Sequence, residues 1–89
     1  MKVTMKVRVI TSKDCPKCRM YVRNLPFVNF EYEIFDGDAE ENQDKLDEWK
    51  VEEYPVIHII DNAGKLLFSF PPGTVLPRVI EAQMRRLEK

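Results

Sequence analysis

Apolar and polar positions alternate along several short segments of the chain. In VTMKVRVI (residues 3–10) and FVNFEYEIFD (residues 27–36) the alternation has a period of two, which predicts strands with one buried face. PVIHIID (residues 55–61) is almost entirely apolar, as is typical of a central strand covered on both faces. The turn sequence DNAG then leads into KLLFSF (residues 65–70), which predicts a hairpin.

Helical spacing predicts a first helix from Pro16 to about Leu25, with Met20, Tyr21 and Leu25 on its apolar face. Pro16 suits the first helical position, because the N–H that it lacks would have had no partner there, and Pro26 ends the segment.

A second helix is predicted from about Ala39 to Lys50. Asp38 followed by Glu41 resembles a capping box, in which the two side chains satisfy backbone N–H groups at a helix start. Leu46 and Trp49 are the clearest core candidates of this helix.

A third helix is predicted from a cap at Thr74 to about Leu87, with a buried side formed by Val75, Val79, Ile80, Met84 and Leu87. The element order is therefore βαβαββα. Strands separated by helices imply parallel pairing through right-handed crossovers, and the terminal hairpin adds an antiparallel edge. We expect an α/β fold with a central four-stranded mixed sheet and helices on both faces.

Composition limits the class of protein. With 89 residues and 44% hydrophobic residues, the chain predicts one domain (1–89) with a modest core. The net charge of −1 does not suggest nucleic acid as a partner. No segment is apolar enough to predict a membrane span, and the charged N-terminus does not resemble a signal peptide, so we expect a cytoplasmic protein whose thiols are kept reduced.

Two cysteines stand out in TSKDCPKCRMYV, at the predicted turn from the first strand into the first helix. Such carboxyl ends of strands are where ligands bind in open α/β sheets. Cys15 would lie at the positive end of the helix, and Lys13, Lys17 and Arg19 add positive charge, whereas Asp14 opposes it. These surroundings predict a thiol pKa below the usual value of about 8.5.

Cys18, one turn later, should face Cys15 and be more buried. That arrangement suits a two-step exchange, in which Cys15 attacks a disulfide and Cys18 resolves the mixed disulfide. A structural disulfide and a metal site are the alternatives. With two cysteines and a single histidine, His58, which lies within an apolar strand, a metal site would need a second chain.

ITSKDCPKC, the element order and YPVIHII together resemble the thioredoxin superfamily, and specifically a small glutaredoxin-like redoxin with a Cys-Pro-Lys-Cys active site. The resemblance covers essentially the whole chain. It implies a cis-proline at Pro55 packed against the active-site disulfide, and a backbone at Tyr54 that binds an incoming peptide or glutathione. Gly73 and Thr74 would present backbone N–H groups to a substrate carboxylate.

The chain also departs from the family patterns. Asp14 stands where thioredoxins usually have tryptophan, and the first strand offers no candidate for their buried acid. Compared with glutaredoxins, Lys17 replaces the usual aromatic residue, Ser12 stands at the position of their lysine, and Pro-Pro-Gly (71–73) replaces paired glycines. Each change relative to glutaredoxins removes part of the usual binding site for glutathione.

The expected function is that of a thiol–disulfide oxidoreductase acting on protein disulfides or glutathione mixed disulfides. TSKDC and FSFPPGTVLPRVI also resemble redoxins that supply electrons to ribonucleotide reductase. The expected catalytic residues are Cys15, Cys18 and Pro55, and the expected substrate-binding residues are Lys13, Pro16, Lys17, Tyr54, Gly73 and Thr74.

No bound cofactor is expected, with glutathione as a candidate co-substrate. Thioredoxin reductase or glutathione would supply the electrons, and the protein would be a monomer. Two other functions stay open: a redox-inactive adaptor that binds partners through Tyr54–Pro55, and a metal or iron–sulfur carrier that bridges two chains through Cys15 and Cys18.

Overall fold

In the computed structural model of the chain, which describes residues 4–71 and 76–88, four strands and three helices follow the predicted order. They are β1 (Met5–Thr11), α1 (Pro16–Asn24), β2 (Tyr32–Asp36), α2 (Gln43–Glu48), β3 (Val56–Asp61), β4 (Leu66–Ser69) and α3 (Pro77–Leu87). Within those two ranges, no helix has the length and apolar character needed to span a membrane.

The four strands form one mixed sheet in the order β2-β1-β3-β4. β1 pairs with β2 in parallel, whereas β3 is antiparallel to both β1 and β4. The mixed sheet is as predicted, but the expected parallel direction of the third strand is wrong. The apolar run of β3 is covered on both faces in either direction, so the pattern that predicted the strand does not fix its orientation. Because β2 is parallel and β3 antiparallel to β1, β3 starts at the end of the sheet where β2 ends.

The two faces of the sheet have separate cores, and helices cover both faces, as predicted. On one face, alternate residues of β1 and β3 pack against α1 and α3; the buried members of this cluster are Met5, Val7, Val9, Tyr21, Leu25, Ile57, Ile59, Phe70 and Ile80. On the other face, Ile10 and Val56 pack against Leu46 of α2, with Trp49 partly buried beside them.

Two residues assigned to the core from helical spacing are exposed instead. Met20 is 65% exposed, because the face of α1 that meets the sheet carries Cys18, Tyr21 and Leu25, and residue 20 is turned away from it. Val79 is 46% exposed beside the fully buried Ile80. The predicted cap at Thr74 and core residue Val75 lie outside the described residues.

The capping box predicted at Asp38 and Glu41 is wrong. A short 3-10 turn, Glu40–Asn42, precedes α2, and its N-cap residue is Ala39, which forms no side-chain cap. The Asp38 carboxylate instead accepts hydrogen bonds from the loop between β1 and α1. The Asp38 carboxylate, which the local pattern assigned to capping the helix, is thus used in a tertiary contact.

Candidate active site

Cys15 is the N-cap residue of α1, at the positive end of the helix as predicted. Its backbone is extended, with φ −122° and ψ 97°, and its Sγ accepts a hydrogen bond from the backbone N–H of Cys18 at 3.1 Å. Pro16 follows at the start of the helix. The sulfur therefore lies at the positive end of the helix and is bonded to one of the N–H groups that have no partner within the helix.

Cys15 and Cys18 are joined in a disulfide, with their Cα atoms 5.2 Å apart. Their exposure differs sharply: Cys18 is only 1% exposed, whereas Cys15 is partly exposed. Solvent therefore reaches Cys15 and barely reaches Cys18.

An open groove runs beside Cys15. Pro16, Lys17 and Tyr54, all assigned to the site from the sequence, line it together with Cys15. The groove also contains carboxylates from Asp14 and Glu53; Glu53 gave no signal in the sequence because its segment reads as an acidic, solvated stretch.

The peptide bond between Tyr54 and Pro55 is cis, as the family resemblance implies. Pro55 is fully buried and does not itself line the groove beside Cys15, whereas Tyr54 does. Of these two neighbours, only Tyr54 is placed to contact a molecule in the groove, and the role of Pro55 stays a prediction.

Lys13 does not line this groove. It lines a second open groove between α1 and the end of β2, together with Cys18, Arg19, Asp36 and Asp38. The structure thus brings Pro16, Lys17 and Tyr54 together in one groove and places Lys13 in the other, whereas Ser12 lines both. The last two predicted site residues, Gly73 and Thr74, lie outside the described residues.

The turn Asp36–Asp38 was missed by sequence reasoning, which assigned Asp38 to a helix cap. Asp38 accepts hydrogen bonds from Ser12 and Lys13, and Gly37 donates its N–H to the carbonyl of Thr11 at 2.7 Å. The pKa of Tyr54 is raised by burial and by the nearby charges of Asp38 and Asp36. The hydrogen bonds of this turn to Thr11, Ser12 and Lys13 join residues 25 or 26 positions apart, so no short-range pattern reveals them.

Among residues 4–71 and 76–88, no group of three or more His, Cys, Asp and Glu side chains is placed to hold a metal ion. Cys15 and Cys18 are the only cysteines of the chain, and both take part in the disulfide. A metal site built on this pair would still need ligands from a second chain.

No protein family model matches the sequence, and no curated protein matches it either. Solved structures do match. Thioredoxin f2 of Chlamydomonas reinhardtii superposes with a TM-score of 0.75 at 12% sequence identity, over 100% of this chain and 84% of that one. Thioredoxin 1 of Thermosipho africanus TCF52B gives a TM-score of 0.69 at 20% identity, over 93% and 94% of the two chains.

The C-terminal domain of Neisseria meningitidis DsbD, in its reduced form, matches with a TM-score of 0.70 at 15% identity, over 99% of this chain and 84% of that domain. At such low identities these likenesses concern the fold. The chain has the thioredoxin fold, with a C-x-x-C pair at the start of its first helix.

Proposed function

We propose that this protein is a thiol–disulfide oxidoreductase in which Cys15 is the nucleophile and Cys18 the resolving thiol. The observation that carries the proposal is the unequal placement of the pair: Cys15 is partly exposed at the positive end of α1, and Cys18 is buried one turn later. A permanent staple would need no such asymmetry, whereas sequential exchange needs one accessible sulfur and one held in reserve.

The reaction starts from the reduced dithiol. The Cys15 thiolate attacks one sulfur of a target disulfide, forms a mixed disulfide and releases the other target sulfur as a thiolate, which takes up a proton. Cys18 then loses its proton and attacks the Sγ of Cys15. The intramolecular disulfide forms, the second target thiol leaves, and two electrons have passed from the protein to the target.

Returning the protein to the dithiol requires an external donor, either glutathione or thioredoxin reductase. The replacements at Ser12 and Lys17, and Pro-Pro-Gly at 71–73, weaken the case for glutathione and favour a thioredoxin-reductase-type donor. Disulfide-bearing proteins are the proposed acceptors, with ribonucleotide reductase as one candidate. A monomer working in a reducing cytoplasm would fit this role.

The test is NADPH consumption during reduction of the disulfides of insulin. One reaction contains thioredoxin reductase, and a parallel one contains glutathione with glutathione reductase. We expect faster turnover with thioredoxin reductase. Turnover with glutathione alone would instead indicate that the groove beside Cys15 and Tyr54 accepts glutathione.

Cysteine variants separate the two thiols. Cys15→Ser should abolish turnover, whereas Cys18→Ser should accumulate a mixed disulfide through Cys15 that mass spectrometry detects. A Cys15→Ser protein that reduces insulin as fast as the parent would overturn the assignment. No turnover with either donor, together with visible absorbance or bound metal in the purified protein, would favour the carrier; without them it would favour the adaptor.

A further inference from the structure

The turn Asp36–Asp38, between β2 and α2, contacts both backbone segments that flank the candidate active site. One is the loop 12–14, which leads from β1 to Cys15. The other is the segment at Tyr54, which leads into the cis peptide bond. A single short turn therefore links the two sides of the groove beside Cys15.

Asp38 holds the first segment. Its Oδ2 accepts the backbone N–H of Lys13 at 2.6 Å, and the hydroxyl of Ser12 donates to Oδ1 and Oδ2 at 3.1 and 3.3 Å. Hydrogen bonds to an ionised carboxylate are shorter and about twice as strong as those between neutral groups. Lys13 is two residues before Cys15, so these bonds fix the backbone from which the N-cap sulfur projects.

Gly37 meets the second segment. A Cβ at position 37 would lie 2.6 Å from Cε1 and 2.8 Å from Oη of Tyr54, so the tyrosine ring packs directly on the glycine backbone. The same Cβ would lie 2.7 Å from the carbonyl oxygen of Thr11, at the end of β1. The turn is thus wedged between the two segments and sets their spacing.

The negative charge of Asp38 opposes the formation of a thiolate at Cys15. A negative charge close to the cysteine loop disfavours a thiolate, as Asp14 does from within the loop. If exchange at Cys15 benefits from Asp38, the benefit must come from the geometry that its hydrogen bonds impose. An asparagine would offer one oxygen acceptor to the same donors without the opposing charge.

We infer that Asp38 is a positioning residue for disulfide exchange, holding the loop 12–14 so that the Sγ of Cys15 faces the groove beside Tyr54. This inference rests on the proposed function. Attack on a disulfide needs the nucleophile to be aligned with the sulfur–sulfur bond, and a misplacement of about 1 Å can cost about a hundredfold in rate. Asp38 supplies that alignment from outside the cysteine motif.

The test compares Asp38→Ala, Asp38→Asn and the parent protein. Asp47→Ala, which removes an exposed carboxylate of α2, is the matched control. For each reduced protein, the rate of attack on a small aromatic disulfide is measured against pH, and thermal unfolding is recorded. We expect Asp38→Ala to be slower by about tenfold at saturating pH, within the range for a small misplacement.

Asp38→Asn should keep at least half of the parent rate and should reach its plateau at the same pH or a lower one. This rescue, with a plateau that does not move to higher pH, is the result that a merely stabilising role would not give. If Asp38→Ala does not fold, Asp38→Glu takes its place, since it keeps the charge but displaces the carboxylate by one methylene group.

The outcomes separate the two proposals. A parent protein that does not attack the disulfide overturns the proposed function. If the parent attacks the disulfide and Asp38→Ala attacks it equally fast, only the role of Asp38 is overturned. Equal slowing of the alanine and asparagine variants, in proportion to their loss of stability, also overturns it, since that result assigns Asp38 to the fold alone.

Discussion

Arg8 and His58 are directly opposite each other on β1 and β3, and both side chains are buried. They share the face of the sheet on which Trp49 packs: the Arg8 guanidinium carbon lies 4.1 Å from the centroid of the indole ring, and the His58 ring meets Trp49 edge-on at 5.5 Å. Burial, aided by the charge of Arg8, lowers the pKa of His58 to about 4.

The stability of the protein should therefore fall on acidification. With a pKa of 6.5 when unfolded and about 4 when folded, His58 binds a proton in the unfolded chain but not in the folded one between those pH values. The free energy of unfolding should decrease by up to roughly 3 kcal/mol as the pH falls through that window. Urea titrations at several pH values would measure this slope.

His58→Phe is the control for that slope. Phenylalanine cannot titrate and keeps an aromatic edge for Trp49. The difference in the free energy of unfolding between parent and variant should therefore be constant above pH 6.5, change by up to roughly 3 kcal/mol between pH 6.5 and 4, and be constant again below pH 4. Acidic groups such as Glu33 titrate in both proteins, so their contribution to the pH dependence cancels in the difference. If the free energy of unfolding changed with pH in the same way for both proteins between pH 4 and 6.5, the prediction of a buried, neutral His58 would be wrong.

Replacing Arg8 tests whether its charge or its bulk matters. Arg8→Met keeps a long apolar stem against Trp49, and Lys6 still pairs with Glu33 at 3.1 Å, so we expect the free energy of unfolding to change by less than about 1 kcal/mol. Arg8→Ala should cost about 2 to 3 kcal/mol through the cavity that it leaves.

The same Arg8→Met variant should raise the pKa of His58, because the arginine charge is one cause of its depression. His58 is the only histidine, so its ring protons report this pKa in NMR spectra without assignment by mutation. An unchanged midpoint would mean that burial alone sets the titration.

Lys17→Ala should make the protein less oxidising. Lys17 lies in the groove with Cys15, where its charge favours the thiolate and so the reduced form. An exposed charge contributes about 0.2 to 1 kcal/mol, which corresponds to a reduction potential lower by roughly 5 to 20 mV. Equilibration with glutathione buffers gives the potential, and Lys45→Ala on α2 is the control. A potential equal to or above that of the parent would refute the prediction.

Gly37→Ala should impair exchange more than its effect on stability explains. The added methyl group meets a backbone oxygen, which cannot move aside as a side chain can, so we expect a loss of about 1 to 3 kcal/mol and a displaced Tyr54. Gly64→Ala is the matched control: its φ of +84° strains alanine by a comparable amount, but its methyl group enters open space. Equal activity in the two variants would argue against the wedge at Gly37.

Much of the fold could be predicted because it depends on local patterns. Two alternating strands, an apolar strand and three amphipathic helices are each visible within short windows of sequence. Pro16, which directly follows Cys15, marks the start of α1. That boundary predicted Cys15 at the positive end of the helix, and the spacing of one turn predicted the burial of Cys18.

What the sequence could not reveal depends on contacts between distant segments. The direction of β3 is seen only in its antiparallel pairing with β1, because an apolar strand reads the same in both directions. α2 covers only Gln43–Glu48, within the acidic stretch that predicted a longer helix. Asp38 serves Ser12 and Lys13, 25 or more residues away, although it sits in a local capping pattern. Arg8 reads as the solvent-facing residue of an alternating strand, yet Trp49 and Glu33 bury it.

Because the two cysteines differ in exposure, their reactivity would also report local opening of the fold around α1. In a reduced chain that keeps this arrangement, an alkylating reagent reacts with Cys15. It reacts with Cys18 only when α1 separates from the sheet. The number of adducts on each molecule, counted by mass, would then measure how often that helix opens under conditions in which the rest of the chain stays folded.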